Sequence, residues 1–339
     1  MNLIKLKELE THKISVIGGG SWATALIKLL GINHQYIKWW VHRPETVDYI
    51  RQYRHNPKYL SSVEIELPPT HISHDLPYII KDAEWVLIAV PSAYFKETVR
   101  DLTEDDFRGK NVISAIKGII QPENLLVSEF LHQRFNIPYD KIINISGPCH
   151  AEEVASEKLS YLTFSSTDVK LARQTSTMFQ CRFLKTMAND DIIGTEYASV
   201  LKNVYALAAG ISVGLDYGDN FRAVLISYAM HEMELFLKKV KVGTRNILAP
   251  AYLGDTMVTA YSQFSRNRAF GVMIGKGYTI KSAILELNMV AEGYYATLAL
   301  KHISDNIGIK LPILDAVYNI LYGKISPVME MQLLTEEFK

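Results

Sequence analysis

The sequence predicts an α/β protein: a doubly wound parallel sheet in its first part, followed by an all-helical second part. Three observations lead there. Short β-rich runs alternate with helix-like segments through the first half. A glycine turn directly follows the first of those runs. From about Asp191 onward the patterning is helical almost throughout.

Lys13–Gly18 is the first β-rich run, and Ser21–Leu30 is helical in composition. Tyr36–His42 is strand-like again, and Pro44 opens a helix at its first turn. Trp85–Val90 is a continuous apolar run ended by Pro91, as a strand buried on both faces requires. Asn111–Ile116 and Lys141–Ser146 repeat that pattern, and Leu159–Ser165 and Arg182–Thr186 read as further strands. Strands alternating with helices predict parallel pairing. In the second part, turn signals stand at Gly218–Asn220, Gly254–Asp255, Gly275–Gly277 and Gly308–Pro312. The boundary is expected near Asp190–Ile193, giving domains 1–191 and 192–339. With no repeat, low-complexity tract or long linker, the two parts should pack directly and hold a ligand in the cleft between them.

Composition narrows the function. The 339 residues are 48% hydrophobic and 21% charged, enough apolar material for a sizeable core. Lys and Arg (36) balance Asp and Glu (36), which argues against nucleic acid or an anionic membrane as the main partner. Cys149 and Cys181 match no zinc spacing and make no disulfide framework, so a reducing cytoplasm is the simplest expectation. Met1–Glu10 alternates apolar and charged residues and lacks a signal-peptide core. No stretch reaches the roughly 18 apolar residues of a membrane span.

The glycine turn suggests a cofactor. In Ile14-Ser-Val-Ile-Gly-Gly-Gly-Ser-Trp-Ala-Thr-Ala-Leu26, Gly18, Gly20 and Ala23 fill the three positions of G-x-G-x-x-G/A. The first glycine permits a tight turn and the second lets a pyrophosphate approach the backbone. The small third residue lets helix and strand pack, with the phosphate on the helix N-terminus. An ordinary glycine-rich turn is the alternative. The next strand ends Trp40-Val-His-Arg-Pro44. Arg43 suits the 2′-phosphate of NADP(H), and His42 could stack on adenine or touch the same phosphate. A solvated Arg43 is the alternative, and Glu45 nearby keeps NAD(H) open.

Eight segments then carry a resemblance: GGGSWATAL (Gly18–Leu26), AIKGI (Ala115–Ile119), SGPCHAEEVA (Ser146–Ala155), LKNVYALAAGI (Leu201–Ile211), GDN (Gly218–Asn220), LGD (Leu253–Asp255), SRNRAFG (Ser265–Gly271) and VAEG (Val290–Gly293). In that order they resemble the bacterial-type NAD(P)-dependent glycerol-3-phosphate dehydrogenases. The resemblance implies a Rossmann-like N-terminal domain and a helical C-terminal one. It implies reversible hydride transfer between NAD(P)H and dihydroxyacetone phosphate, giving sn-glycerol 3-phosphate for glycerophospholipid synthesis. It also implies roles. Ser21, Trp22, His42, Arg43, Ala151, Val290 and Glu292 match cofactor contacts. Lys117 and Arg266 match contacts to both cofactor and substrate. Gly147, Cys149, Asp255, Ser265 and Asn267 match the substrate pocket, and Lys202 matches the catalytic lysine. The chain departs from the family pattern at Cys149 and His150, where Ser then Phe is common. It departs again at Tyr228-Ala229, at Tyr252 in place of a glycine, and in Thr259–Ser262, where a cysteine is usual.

The residues themselves support several of these roles. On a helix from about Ile193 to Gly210, Lys202 has Ala198, Ser199, Tyr205 and Ala206 as helical neighbours. A helix apolar nearly all round is buried. A lysine there is desolvated, its pKa falls, and it suits general acid/base work. Snorkelling to the surface is the alternative. Asp255 could hold Lys202 or a substrate hydroxyl, or cap a helix. Lys117, just past an apolar strand end, sits where doubly wound sheets bind ligands, or is a solvated turn lysine. Ser265-Arg-Asn-Arg268 reads as a phosphate clamp. Ser265 caps a helix, Arg266 grips phosphate oxygens and Arg268 faces elsewhere. A basic helix start opposes the macrodipole, which favours an anionic ligand over a bland surface helix. Glu152, Glu153 and the histidines have no metal-ligand spacing, His231 and Glu232 read as structural, and no metal is expected. A homodimer is the default assembly. Two other functions fit the same fold: a related β-hydroxyacid or sugar-acid dehydrogenase, and a non-catalytic NADPH-binding regulator.

Overall fold

The structure is a computed structural model that describes residues 11–33, 36–241, 245–287 and 291–338. Eight strands form one sheet: β1 (Lys13–Ile17), β2 (Tyr36–Trp40), β3 (Ile72–Ser73), β4 (Trp85–Ile88), β5 (Asn111–Ser114), β6 (Ile142–Ser146), β7 (Ser160–Ser165) and β8 (Leu184–Asn189). Their order is β3-β2-β1-β4-β5-β6-β7-β8. The order reverses between β1 and β4, so a crevice opens beyond the carboxyl ends of those two strands. The central strands are buried along nearly their whole length, which is why they read as unbroken apolar runs. Helices cover both faces: Leu26, Trp39, Phe164 and Phe179 pack on one, Phe95, Phe130 and Phe135 on the other.

Two features differ from expectation. The sheet is not wholly parallel, because β7 runs antiparallel to β6 while β8 pairs parallel with β7. The connection from β6 to β7 carries only the helix Ala151–Ala155. Five helical residues rise about 7.5 Å, too little to lie along a strand, so β7 itself carries the chain back. The edge strand β3 is only two residues long, too short for any period to show.

The second part is built around the helix Ile192–Gly214, buried from Ile192 to Ser212 apart from Ile193. Helices Asp219–Val240, Asp255–Tyr261, Arg266–Gly275 and Glu292–Ile307 surround it. Two glycine pairs, Gly210 with Gly271 and Gly214 with Gly275, set the closest approach to the helix Arg266–Gly275. A Cβ on Gly210 would lie 2.1 Å from the Arg268 carbonyl oxygen, and one on Gly271 would lie 2.3 Å from that of Leu207. The two backbones therefore touch with no side chain between them. Three turn signals hold: Gly218 precedes a helix, Gly277 has φ +87°, and Gly308 ends a helix with φ +65°. The fourth does not. Pro250–Gly254 is a π-helical turn that runs straight into the helix starting at Asp255. Pro250 sits at its first position, where a fixed φ favours helix, and Gly254 merely continues it. No helix among the described residues is long and apolar enough to cross a membrane.

Candidate active site

The glycine turn is held from behind. Gly18 has φ +137°, and a Cβ there would meet the Ala89 carbonyl oxygen after β4 at 2.3 Å. Only glycine fits at that switch point. The Trp39 indole N–H donates to the Gly18 carbonyl at 2.6 Å, and the Asn56 amide donates to Gly19 O at 3.1 Å. With its carbonyls pinned, the turn leaves Gly20 facing open space, with nothing within 4 Å of its Cβ position. Gly20 also caps the helix Ser21–Ile32 with no side-chain hydrogen bond. The first-turn N–H groups, Ser21 among them, therefore have no side-chain acceptor among the described residues. The indole N–H of Trp22 is buried and has no acceptor among the described residues. These features fit a pyrophosphate. His42 and Arg43 lie exposed just past β2, whose end hydrogen-bonds to the turn through Gly18 N and Trp40 O. No side-chain partner holds Arg43 among the described residues, and Glu45 is exposed beside it. Ala151 opens the helix Ala151–Ala155, which packs on the first helix. Val290 lies outside the described residues.

At the other end of the crevice three charged groups meet. Lys202 Nζ is hydrogen-bonded to Asp255 Oδ1, and the two side chains are 5% and 2% exposed. Lys117 Nζ lies 3.3 Å from Asp255 Oδ2, and the Gly147 N–H donates to the same oxygen at 3.2 Å. Lys117 also faces the Gly147 carbonyl at 3.5 Å. The sheet delivers Lys117 and Gly147 from loops after β5 and β6. The helical part delivers Lys202 and Asp255. Asp255 is not a helix cap; it is the first residue of its helix and spends its carboxylate on the two ammonium groups.

The electrostatics follow from this sharing. Burial pulls Lys202 down to about 7, although Asp255 draws it up, while Lys117 pushes the same way as burial. Burial would raise the Asp255 carboxyl, but the two lysines and the Gly147 N–H outweigh it and hold it below the usual carboxylate range. An aspartate that stays ionised around neutral pH thus faces a lysine that can titrate there. Around them, burial pushes the Cys149 thiol up to about 12, so it stays protonated. His150 is driven down to about 4, first by burial and then by the Lys202 charge, so its imidazole is neutral.

Two side chains the sequence reasoning passed over tie this cluster together. Asn203 donates to the Lys117 carbonyl at 2.8 Å and accepts from Asn267 Nδ2 at 2.9 Å. Asn267 Oδ1 in turn accepts from Gly293 N at 2.9 Å. Asn267 is therefore engaged within the protein at both ends of its amide. The signal was present, because Asn203 directly follows Lys202 in a helix too apolar for an idle amide. Ser92 was also missed. Its N–H and hydroxyl donate to the Glu292 carboxylate at 2.8 and 2.5 Å, which fixes Glu292 beside Gly118. Burial raises the Glu292 carboxyl even against those bonds, and the charge of Arg266 reaches it. Ser265 caps its helix by accepting from Arg268 N at 3.3 Å. Arg266 is exposed at that helix start, with no ion pair among the described residues. Arg268 is half-buried and lies close enough to Arg222 to feel its charge. No group of three metal-ligating side chains occurs among the described residues.

Comparison with known proteins agrees with this layout. Residues 13–172 match the family described as NAD-dependent glycerol-3-phosphate dehydrogenase N-terminus, and residues 191–332 match its C-terminus. A glycerol-3-phosphate dehydrogenase [NAD(P)+] of Chlorobium chlorochromatii is 35% identical over 310 residues, covering 91% of this chain and 93% of that protein. One from Staphylococcus carnosus is 31% identical, over 95% and 97% of the two chains. The crystal structure of glycerol-3-phosphate dehydrogenase from Coxiella burnetii superposes with a TM-score of 0.88 at 28% identity, covering 96% of this chain and 99% of that one.

Proposed function

The chain belongs to the NAD-dependent glycerol-3-phosphate dehydrogenase family, and from that premise we propose that it interconverts dihydroxyacetone phosphate and sn-glycerol 3-phosphate. The observation that carries this reading is the Lys202–Asp255–Lys117 cluster, with Lys202 and Asp255 buried, built where loops of the sheet part carrying the glycine turn meet the helical part.

Bound NAD(P)H supplies the hydride that reduces the ketone carbon. Gly18, Gly20, Ser21, Trp22 and Ala151 would hold its pyrophosphate half, with His42 and Arg43 at the adenosine end. Lys202 answers the negative charge that grows on the ketone oxygen, and its ammonium donates the proton there. In the oxidative direction neutral Lys202 takes that proton from the alcohol. A lysine titrating at about 7 serves both directions. Ketone reduction needs the ammonium, so it falls as pH rises through that value; alcohol oxidation needs the amine and rises. Asp255 keeps Lys202 aimed and Lys117 in place, and the ammonium of Lys117, with two of its three donors engaged by Asp255 and Gly147, has one left to orient a substrate oxygen. Gly147, Cys149, Ser265 and Asn267 complete the substrate side. Arg266, exposed at a helix start with no ion pair among the described residues, takes the phosphate.

The same reading divides the chain at residue 191, supported by the junction between β8 and the long helix at Asn189–Ile192. Two free cysteines support a reducing compartment such as the cytoplasm. The balanced net charge supports a small-molecule partner over nucleic acid. A homodimer is the assembly proposed. Purified protein should oxidise NADPH or NADH only when dihydroxyacetone phosphate is added. Turnover of a ketoacid instead would move the assignment to a hydroxyacid dehydrogenase. Cofactor binding with no turnover of either would make the chain a regulator.

A further inference from the structure

Behind the active cluster lies a second charged group that touches neither substrate side nor cofactor side. Asp191 precedes the long helix and caps it, its Oδ1 accepting from Gly194 N at 3.2 Å. Arg245 grips the same carboxylate with two bonds, Nε to Oδ2 at 2.5 Å and Nη2 to Oδ1 at 3.1 Å. The Tyr252 hydroxyl donates to Oδ2 at 2.6 Å. Arg245 also donates to the Leu237 and Lys241 carbonyls at 3.2 and 2.8 Å, anchoring the pair to the end of the helix Asp219–Val240. The group is enclosed, with Arg245 and Asp191 side chains 8% and 18% exposed and Tyr252 buried. Space has been left for it: a Cβ on Gly194 would stand 2.0 Å from Asp191 Oδ2 and 2.6 Å from Arg245 Nε.

The placement of these three residues matters more than their number. Asp191 opens the helix that carries Lys202 about three turns further on. Tyr252 lies in the π-helical turn that ends where Asp255 begins. π-Helical turns are rare and occur mostly as single turns, frequently at functional sites. Ala249, which precedes this one, gives it no side-chain cap. Asp191 therefore joins, through one carboxylate, the two segments that bring Lys202 and Asp255 together.

We propose that Asp191, Arg245 and Tyr252 form a positioning triad that seats the Asp255 turn against the Lys202 helix and so sets the contact between acid/base lysine and carboxylate. The proposal rests on the dehydrogenase reading only for the consequence in turnover. Arg245 keeps Asp191 ionised, Asp191 holds the Tyr252 hydroxyl, and Tyr252 fixes the turn. Lys202 is faced by Asp255 and Lys117, with Cys149 and the neutral His150 nearby. None of these four belongs to the triad, so a change at Tyr252 reaches Lys202 only through the position of Asp255.

The test is Tyr252→Phe, which keeps the ring and removes the one hydroxyl. In apoprotein labelled with 13C-lysine, the Lys202 Cε resonance, assigned by its loss in Lys202→Met, is titrated in both proteins. Asp255 draws the Lys202 pKa up, so a looser contact lowers the midpoint. The expected displacement is about half a pH unit downward, the scale of a partly lost charged hydrogen bond. With dihydroxyacetone phosphate and NADPH, kcat for reduction should fall about 3- to 10-fold, its alkaline limb moving down with the midpoint. KM for NADPH should stay unchanged. Midpoint and alkaline limb coinciding with the parent protein would overturn the proposal, whatever happens to the melting temperature. If Tyr252→Phe does not fold, Asp191→Asn takes its place under the same criteria. The apoprotein titration needs no turnover, so inactivity of the parent protein toward dihydroxyacetone phosphate would count against the reaction and leave the triad's test intact.

Discussion

At the residue scale the site is one carboxylate shared by two ammonium groups. Asp255 is held ionised, Lys202 is loosened toward neutrality, and Lys117 completes the balance. Lys202 could be read from sequence because a lysine on a helix apolar all round has nowhere polar to go. That Asp255 serves both lysines could not, since they lie 138 and 53 residues away from it. Local pattern says nothing about which distant loops converge. The exposed Arg266 gives a separate prediction. Arg266→Ala should raise KM for dihydroxyacetone phosphate by about 10- to 100-fold, the worth of a charge-assisted bidentate contact, with a smaller change in kcat. Steady-state kinetics at saturating NADPH checks it; an unchanged KM would remove the phosphate role.

At the element scale, function depends on backbone approach. The Arg266–Gly275 helix meets the Lys202 helix across Gly210 and Gly271, with no room for a methyl group. Gly271→Ala should push the two helices apart and cost about 1–3 kcal/mol, as overpacking does. Urea unfolding would show it, and the shift should come with a raised KM for substrate because Arg266 and Asn267 move too. Wild-type stability and kinetics would contradict this packing. The turns after Gly218, Gly277 and Gly308 were legible because each glycine there stands at a helix boundary or in a left-handed conformation. The Gly254–Asp255 signal misled because a glycine inside a π-helical turn carries the same letters as one in a loop. β3 left no trace, since two residues have no period.

At the scale of the whole molecule, buried carboxylates fasten helices to one another. Glu196 of the long helix accepts from the Ser128 N–H and hydroxyl across to the sheet part. Glu232 accepts from Ile313 N at the start of the helix Pro312–Leu321. Burial raises Glu196 to about 7 and Glu232 to about 8. A carboxyl whose folded pKa is raised favours folding fully below its unfolded pKa. That contribution is lost as pH rises through the folded value. Glu232→Gln keeps an acceptor for Ile313 and removes the titration. Its stability relative to the parent should therefore improve from pH 5 to pH 8, by up to about 1 kcal/mol per pH unit. Parallel stability–pH curves for the two proteins would show that Glu232 stays charged in the fold. The alternation of strands and helices and the change to all-helix near Asp191 were both visible in sequence, being set by hydrophobic period. The antiparallel β6–β7 pair was not, because strand direction depends on how far the connection reaches.

The central claim is that Lys202, shielded from water and steadied by Asp255, moves the proton at the substrate oxygen. Steady-state turnover of dihydroxyacetone phosphate by Lys202→Ala, with NADPH binding followed separately, tests it most directly. The expected result is a kcat lower by about 10²–10⁴-fold with NADPH affinity retained and the alkaline limb near pH 7 gone. Turnover within a few-fold of the parent protein, still falling through the same pH, would contradict it.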